Sequence, residues 1–256
     1  MATDKEKKRE VQGIQSVEHA FFILDTIKKS KESLTLSDIS RLTNMSKSRV
    51  QKYINSFLKL EALVRSDQDY TYSFGSKLLE FGVHALKSND IIEMSDYFLK
   101  EIRNELNQSS ALNIWTQNGP LIVKSEPSGE PISIDIQPGY RPPILKSATG
   151  KCFAAYMEAS KIKDFIEKDI QQYNLDRTEI EKELEEVRNN GYSFRDTTEE
   201  GVPGGVAITC PVLSKSGNIL AALSIIGFHD GLNTSPDSKE VQKLKEVTSN
   251  LSKMLH

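Results

Sequence analysis

The chain has 256 residues, a length that predicts two domains, each large enough to bury a hydrophobic core. Hydrophobic residues make up 38% and charged residues 27%, which excludes a chain that is disordered throughout. The net charge is −3, yet residues 1–90 carry 15 Lys and Arg against 12 Asp and Glu, whereas residues 91–256 carry 18 against 24. A basic N-terminal part is compatible with a nucleic-acid partner, because a polyanion responds to the local charge.

Nothing in the sequence predicts a metal site, a cofactor or a membrane segment. Cys152 and Cys210 follow no metal-ligand or disulfide spacing, and the four histidines are equally scattered. No apolar run approaches the roughly 18 residues that span a membrane, and the charged residues 2–10 lack the apolar core of a signal peptide. We therefore expect a soluble, cytoplasmic protein whose first ten residues are disordered.

The first predicted element is a helix that begins near residue 14. Its apolar residues recur at steps of three and four, at Ile14, Val17, Phe21, Leu24 and Ile27. In a three-helix head, such a stripe buries the back of the recognition helix, and we expect it to do so here.

The next two elements predict a helix-turn-helix. The spacing of Leu36, Ile39 and Leu42 predicts a short helix with one apolar face. A turn at residues 44–45 follows, and Ser46 is suited to cap the N-terminus of a second helix. The side chains of this second helix that we expect to face inward are Val50, Ile54, Phe57 and Leu58.

The first turns of the second helix carry the residues that we expect to contact DNA, because this part of a recognition helix reaches base edges in the major groove. These residues are polar or basic, namely Ser46, Lys47, Ser48, Arg49, Gln51 and Lys52. Arg49 is predicted to read a base edge, since Arg pairs with guanine through two hydrogen bonds. Lys47 and Lys52 suit phosphate or base contacts, although a basic helix face is also common on ordinary solvated surface.

A two-stranded wing is predicted after this helix. Residues 63–65 (LVR) and 70–74 (YTYSF) flank a polar tip. Arg65 is expected to contact the DNA backbone, whereas phosphate would repel Asp67 and Asp69 at the tip, so we do not expect deep insertion of the wing. Residues 11–75 thus predict a winged helix-turn-helix DNA-binding domain, although a helix pair with a hairpin also occurs in small domains without that function.

A helix over residues 75–87 is predicted to leave the wing, and residues 76–90 form the linker to the body. Residues 88–90 break this helix. A further stripe follows at Met94, Phe98, Ile102 and Leu106. An apolar face on a connecting helix packs either on its own domain or on its counterpart in a second subunit, and the pattern leaves both possibilities open.

The body, residues 91–256, has the pattern of an α+β domain with an antiparallel sheet flanked by helices. A hairpin is predicted over residues 111–124 with Asn118 and Gly119 at the centre of its turn. Ile132, Ile134 and Ile136 alternate as a third strand. The remaining expected elements are helices over residues 147–157, 160–171 and 176–190, a strand from residue 191, a hairpin over residues 206–227, and a last helix with Ser235 as N-cap and Pro236 at its first position.

The order of these pieces resembles that of an IclR-type bacterial transcriptional regulator over nearly the whole chain. In the N-terminal part the resemblance is carried by residues 15–20 (QSVEHA), 34–40 (LTLSDIS), 45–50 (MSKSRV) and 74–82 (FGSKLLEFG). In the body it is carried by residues 143–151 (PILKSATGK), 191–200, 205–208 (GVAI), 211–212 and 221–225 (AALSI). None of these motifs is specific alone, but their joint order is.

The resemblance implies a winged helix-turn-helix joined to a GAF-like effector-binding domain in a homodimer or homotetramer. It implies binding to a pseudo-palindromic double-stranded DNA operator and to a small organic acid as effector. By the same resemblance, the effector-binding residues would be Ala148, Thr149, Gly150, Asp196, Ala207, Ser224 and Ile226. Whether the protein represses or activates transcription is left open.

Elementary chemistry agrees with part of this pocket. Residues 147–150 lie at a helix start, where unpaired N–H groups and the helix dipole favour a carboxylate, and Ser224 offers a hydroxyl. Equally, Ser147 fits a simple helix cap and Ser224 a core hydroxyl. Leu145 and Lys146 depart from the family's usual loop, and Ala207 and Ile226 replace polar contacts of some relatives. We therefore expect a less polar pocket that suits an acid larger than two carbons.

Two other classes of function are alternatives to a regulator. In an enzyme, Cys152 or Cys210 would be a nucleophile, but no His stands near either in sequence, and residues 147–151 lack the glycine spacing of a phosphate loop. Their apolar neighbours predict buried, structural cysteines and no catalytic residues. A small-molecule sensing or protein-interaction module without sequence-specific DNA binding remains the alternative to a regulator.

Overall fold

The computed structural model describes residues 13–87, 90–134, 137–196 and 204–255. The chain divides into two compact units, a head that ends at Leu86 and a body that begins at Lys87. The predicted disorder of the first ten residues lies outside the described residues. Within the described ranges, no helix is both long enough and apolar enough to cross a membrane.

The head consists of helices and a small antiparallel sheet in the order expected of a winged helix-turn-helix. Its elements are α1 (Gln15–Lys29), β1 (Leu34–Thr35), α2 (Leu36–Thr43), α3 (Lys47–Lys59), β2 (Leu63–Arg65), β3 (Thr71–Phe74) and α4 (Ser76–Lys87). The sheet order is β1-β3-β2, so the wing gains a third, two-residue strand that the sequence analysis did not predict. The side chain of Ser46 accepts a hydrogen bond from the Arg49 N–H, which confirms the predicted cap of α3.

The buried core of the head lies where α1, α2 and α3 meet the sheet. Its largest members are Ile23, Ile39, Ile54, Phe57, Leu63 and Tyr72. The predicted inward stripe of α1 was wrong in its first half, because Ile14, Val17 and Phe21 are all at least 50% exposed. Two neighbouring faces of α1 are apolar, and the head buries the one with Ile23 and Ile27.

The short helix α2 also differs from the prediction at its last apolar position. Leu42 is 47% exposed, and Thr43 is buried in its place. The Thr43 hydroxyl donates to the Ile39 carbonyl at 2.6 Å, so its polar group is satisfied within the helix and the methyl group can face the core. A threonine therefore takes a position that hydrophobicity alone assigns to leucine.

The body is a five-stranded antiparallel sheet with helices on both faces, which confirms the predicted α+β class. Its elements are α5 (Asp90–Leu106), β4 (Ser109–Thr116), β5 (Gly119–Glu126), α6 (Ala148–Tyr156), α7 (Ala159–Tyr173), α8 (Arg177–Asn190), β6 (Ser193–Asp196), β7 (Gly205–Leu213), β8 (Ile219–Phe228) and α9 (Lys239–Met254). The strand order is β5-β4-β8-β7-β6.

The two faces of the sheet bury different material. Side chains alternate along a strand, so Leu223 and Ile225 of β8 point to one face and Ser224 to the other. The first face packs against α5 and α9 in the main hydrophobic core of the body. The second face meets α6, where Cys152 and Phe153 contact the small side chains of the sheet. The site of the body described below lies on this second face.

Three sequence predictions for the body need correction. Residues 132–134 pair with no strand and Ile132 is 78% exposed, while Ile136 lies outside the described residues. The backbone at residues 139–140 takes the edge of β5 instead, because the Ile122 N–H donates to the Tyr140 carbonyl at 3.0 Å and the Gly139 N–H to the Ile122 carbonyl at 2.7 Å. The edge of β5 with which a strand of alternating isoleucines could pair is therefore already occupied.

The other two corrections concern turns. Helix α9 begins at Lys239 with Ser238 as its cap, since residues 235–238 form a turn closed by a Ser238 N–H to Ser235 carbonyl bond of 2.9 Å. Pro236 at the second position of a turn is as favourable as at the first position of a helix. In the first hairpin, Thr116 pairs with Gly119, so the turn is centred one residue before the predicted Asn-Gly and Gly119 follows it with φ +90°.

Candidate functional site

The solvent-facing side of α3 is polar along its whole length. Residues three and four apart lie on one face of a helix, and the burial of Val50, Ile54 and Phe57 fixes the inward face. On the opposite face lie four exposed side chains, those of Ser48, Lys52, Asn55 and Lys59. The helix thus presents hydrogen-bonding and cationic groups to solvent over three turns.

Asn55 and Lys59 are not among the predicted DNA contacts, because they lie beyond the first turns of the helix. Their spacing of three and seven residues from Lys52 was the signal that could have found them. Asn55 is tied to a predicted DNA contact, since Gln51 Nε2 donates to Asn55 Oδ1 at 2.8 Å. The amide pair and Lys52 form one polar surface.

The predicted base-reading residue Arg49 is exposed but not free. Its Nη2 lies 2.9 Å from Nδ1 of His19 in α1, so the hydrogen bond fixes the direction of the guanidinium group. Ser46 and Ser48 are also engaged, because their hydroxyl oxygens lie 3.2 Å apart while Ser46 caps the helix. Lys47 and Lys52 are exposed, and within the described part of the chain no ion pair joins either to a carboxylate.

The wing places Arg65 beside an aromatic ring and keeps carboxylates at its tip. The Arg65 guanidinium carbon lies 4.5 Å from the centre of the Tyr70 ring, a cation–π contact that leaves the charge exposed. Asp69 accepts hydrogen bonds from the hydroxyl and the N–H of Thr71, and hydrogen bonds from Ser66 and Thr71 lower the pKa of its carboxyl. A lowered pKa favours the charged form of this carboxyl at the tip, which agrees with the expectation that the wing does not insert deeply.

In the body, the N-terminus of α6 provides a second candidate site. Ser147 caps this helix, and its Oγ accepts the Gly150 N–H at 2.9 Å while donating to the Pro143 carbonyl at 2.6 Å. The N–H groups of Ala148 and Thr149 have no hydrogen-bond partner among the described residues, and both residues are buried. Two unpaired donors at a helix N-terminus favour a bound anion.

Of the three predicted residues at this helix start, Gly150 has a structural reason to be glycine. A Cβ atom built on it would lie 2.2 Å from the carbonyl oxygens of both Pro143 and Ile144. The helix start therefore packs directly against the preceding loop, and Gly150 has already given its N–H to Ser147. Lys146 is directed elsewhere, since its Nζ lies 5.5 Å from the centre of the Tyr173 ring of α7.

Four buried polar side chains meet where α6 crosses the sheet. Ser224 Oγ lies 3.0 Å from Thr149 Oγ1 and 2.8 Å from Thr209 Oγ1, and it accepts from Asn113 Nδ2 at 2.9 Å. Thr149 and Ser224 are predicted effector-binding residues, whereas Asn113 and Thr209 were not predicted from the sequence. Asn113 and Thr209 alternate with apolar residues on strands whose sequences resemble those of ordinary core strands. Little in the sequence therefore marks them as binding residues. We call Asn113, Thr149, Thr209 and Ser224 the polar quartet.

Next to the polar quartet, the same face of the sheet is apolar. Ile226 packs against Ala111 and Ile122, and register pairs it with Ala207 on β7. Ile226 and Ala207 are only partly buried. Polar groups at one end and small or aliphatic side chains at the other fit a ligand that has one polar and one apolar part.

Asp196 does not join the other predicted effector-binding residues. It pairs with Val206 at the end of β6, and its carboxylate lies 3.3 Å from His229 Nε2. Both residues line a polar cavity of about 420 Å³ with Thr234 and Glu240. Because Val206 belongs to the core under α5 and α9, this cavity opens on the side of the sheet away from Thr149 and Ser224.

The two cysteines have the properties of core residues. Both are fully buried, and burial raises the pKa of each thiol well above its usual range. A thiol that stays protonated is a poor nucleophile. In the described ranges, no group of His, Cys, Asp and Glu side chains is arranged to hold a metal ion.

Two protein-family models match the chain. The model described as Bacterial transcriptional regulator IclR C-terminal matches residues 83–253, and the model described as IclR helix-turn-helix domain matches residues 16–67. The first of these regions contains the polar quartet, and the second contains α3.

Individual proteins similar to this chain agree with these models. The HTH-type transcriptional regulator XynR of Escherichia coli is 27% identical over 241 residues, which are 91% of this chain and 92% of XynR. Among solved structures, an IclR transcriptional regulator from Alicyclobacillus acidocaldarius superposes with a TM-score of 0.82 at 22% identity, over 94% of this chain and 99% of that one. An IclR homolog from Microbacterium hydrocarbonoxydans, solved in complex with 4-hydroxybenzoate, superposes with a TM-score of 0.77 at 18% identity, over 93% and 98%.

Proposed function

Since the chain belongs to the IclR family of bacterial transcriptional regulators, we propose that it binds a pseudo-palindromic operator through α3 and that an organic acid bound at α6 changes this binding. Members of this family are regulators and not enzymes, in line with the prediction of no catalytic residue. The observation that carries the effector half of the proposal is the pair of unpaired N–H groups at the start of α6, beside buried hydroxyls.

In the DNA half of the proposal, α3 enters the major groove. Ser48, Gln51 and Lys52 reach base edges or phosphates from the exposed face, with Asn55 as an additional contact. Arg49 reads a base edge, and its bond to His19 orients the guanidinium before DNA arrives. Ser46, Lys47 and the wing residue Arg65 contact the backbone. Because phosphate repels Asp67 and Asp69, the wing lies along the backbone and not within a groove.

Salt dependence of DNA binding tests these contacts. Each phosphate contact releases condensed counterions, so the negative slope of log K against log salt decreases in magnitude by about 0.9 for each contact that is removed. We expect Lys52→Ala to weaken binding to a mixed-sequence duplex and to lower the magnitude of this slope by about one. Lys182→Ala, which removes an exposed cation from α8 of the body, is the control. Equal slopes for both variants would remove Lys52 from the interface.

A pseudo-palindrome requires two heads, and α4 offers a surface for their association. The Leu79, Val83 and Leu86 side chains follow one face at helical spacing, all are exposed, and α4 buries no side chain fully within its own chain. We propose that this face packs against a second copy, because an exposed apolar stripe of this kind is typical of an interface. Whether two or four copies assemble in total is not part of this proposal.

Light scattering on purified protein tests the assembly. Val83→Glu places a charge in the middle of the apolar face, and we expect it to shift the mass toward the monomer and to weaken operator binding. Glu93→Lys, an exposed charge reversal on α5, controls for the change in charge. A Val83→Glu protein with the mass of the wild type would contradict association through α4.

In the effector half of the proposal, a carboxylate lies against the N–H groups of Ala148 and Thr149. The hydroxyls of Thr149 and Ser224 lie beside it, and Ala207 and Ile226 contact the rest of the molecule. Gly150 permits the close packing of the helix start against the preceding loop, and Asp196, on the other face of the sheet, lies outside the contact set. Occupation changes operator affinity only if the acid binds the DNA-competent and incompetent arrangements with different affinity.

Matched pairs of charged and neutral ligands test the carboxylate site. We expect benzoate to raise the melting temperature of the protein and benzamide to have no effect, because the unpaired N–H groups and the helix dipole favour negative charge. Calorimetric titration with glyoxylate tests the apolar contacts of Ala207 and Ile226. We expect no tight binding of this two-carbon acid. Stabilisation by benzamide and not by benzoate would contradict an anion site at α6.

A further inference from the structure

The hydrogen bonds of the polar quartet do not close among its own members. Ser224 Oγ has two lone pairs and one proton. Asn113 Nδ2 donates to one of these lone pairs, so only one of the two threonine hydroxyls can donate to the second lone pair. Ser224 must donate its own proton to the remaining threonine. The proton of that remaining threonine hydroxyl then has no acceptor among the described residues.

The quartet also has an acceptor without a donor. Asn113 Oδ1 is buried and makes no hydrogen bond within the described chain. Its orientation is fixed, because Asn113 Nδ2 also donates to the Ala222 carbonyl at 3.2 Å. Exchanging the amide oxygen and nitrogen would place an oxygen against the carbonyl oxygens of both Ala222 and Ala111, neither of which can donate. Asn113 is fully buried, so an unmatched acceptor there is costly unless a ligand or a water satisfies it.

On the basis of the proposed function, we propose that the effector is a hydroxylated carboxylic acid and that Asn113 determines this specificity. The carboxylate binds the N–H groups at the start of α6. A hydroxyl group of the same molecule donates to Asn113 Oδ1 and accepts from the spare threonine hydroxyl. Thr149 belongs to both groups, so the carboxylate and the hydroxyl lie within reach of one small molecule.

Other functional groups match the quartet less well. A keto oxygen can only accept, and would leave Asn113 Oδ1 unpaired in a buried place. An ammonium group can only donate, so it leaves the spare threonine proton without an acceptor and brings a charge where no carboxylate of the quartet balances it. A hydroxyl group both donates and accepts, as the two unmatched atoms require.

The test compares acids that differ only by a hydroxyl group. The probes are 2-hydroxybutyrate and 3-hydroxybutyrate against butyrate, and 4-hydroxybenzoate against benzoate, titrated into the full-length protein by calorimetry. We expect the hydroxylated member of at least one pair to bind roughly tenfold more tightly, as expected for one or two additional buried hydrogen bonds. Asn113→Leu removes the acceptor and should abolish this preference while the plain acid still binds.

Thr248→Val is the control variant, because it also removes a buried polar group but lies on α9, behind the other face of the sheet. It should keep the preference. If Asn113→Leu does not fold, Asn113→Ala and the wild-type pairs still decide the question. Equal affinity within every pair, or a preference that survives the loss of Asn113, would overturn the inference and leave the acid site intact. Binding of none of these acids would overturn the acid site itself and the inference with it.

Discussion

Substituting Gly150 by alanine gives the sharpest test of how the α6 site is built. In an ordinary helix this change stabilises a protein by about 0.5–1 kcal/mol, because alanine loses less backbone entropy. At Gly150 the new Cβ would lie 2.2 Å from two backbone carbonyl oxygens and 2.5 Å from the Ile144 Cα. Backbone atoms cannot rotate away, so the loop or the helix must move.

The sign of the effect therefore reverses. Overpacking of this kind costs about 1–3 kcal/mol and sometimes more, which exceeds the propensity gain. We expect a net loss of about 2 kcal/mol, or roughly 4–8 °C in melting temperature for a unit of this size. Gly231→Ala is the control, because a Cβ there meets no atom within 4 Å and its φ is not left-handed, so its stability should change by less than about 0.5 kcal/mol.

Urea unfolding followed by tryptophan fluorescence measures this difference. Trp115 is the only tryptophan, and its ring lies 5.5 Å from that of Phe153 in α6, so its emission reports on this helix. Displacement of α6 should also weaken the binding of benzoate in the Gly150→Ala protein. An equally stable or more stable variant would refute the close packing of the helix start against the preceding loop.

Further predictions concern the head and the cysteines. Ser46→Ala should cost the head about 1 kcal/mol in urea unfolding followed by circular dichroism, since it removes the cap of α3; an unchanged midpoint would contradict the cap. Cys152 and Cys210 should not react with a disulfide reagent at pH 8 until the protein unfolds, and rapid modification of the native protein would contradict their burial. Hydrogen bonds from Thr35 lower the pKa of Asp38, so its stabilising effect is present above the usual carboxyl range and is lost as the pH falls through the lowered pKa. Asp38→Asn should flatten this acid dependence in urea unfolding, and an unchanged pH profile would contradict it.

Local patterns in the sequence predicted most of the fold. The cap at Ser46 and the spacing of Val50, Ile54 and Phe57 act within one helix, so these roles can be predicted without knowing the rest of the chain. The predictions that were wrong concern segments with more than one possible packing or pairing partner. Two adjacent faces of α1 are apolar, and only the packed head decides that Ile23 is buried and Phe21 is exposed. The isoleucines at 132 and 134 alternate like a strand, but residues 139–140 occupy the edge of β5.

The candidate site shows the same limit. Thr149 and Ser224 could be predicted because a family pattern marks them, whereas Asn113 and Thr209 come from strands that are paired only in the folded sheet. The family resemblance also assigned Asp196 to the pocket. Because side chains alternate along a strand, its side chain points to the opposite face of the sheet, toward His229. A one-residue shift in register would have reversed this result, and the sequence does not determine register at that precision.

The central claim, sequence-specific DNA binding through α3, is tested most directly by selecting DNA from a random pool with the purified protein at physiological salt, beside the Arg49→Ala variant. The account predicts an enriched inverted repeat with half-sites about one helical turn apart for the wild type, and lost or relaxed base preference for the variant. Failure to enrich any sequence, with or without the hydroxylated acids, would contradict operator reading and favour a sensing or protein-interaction module.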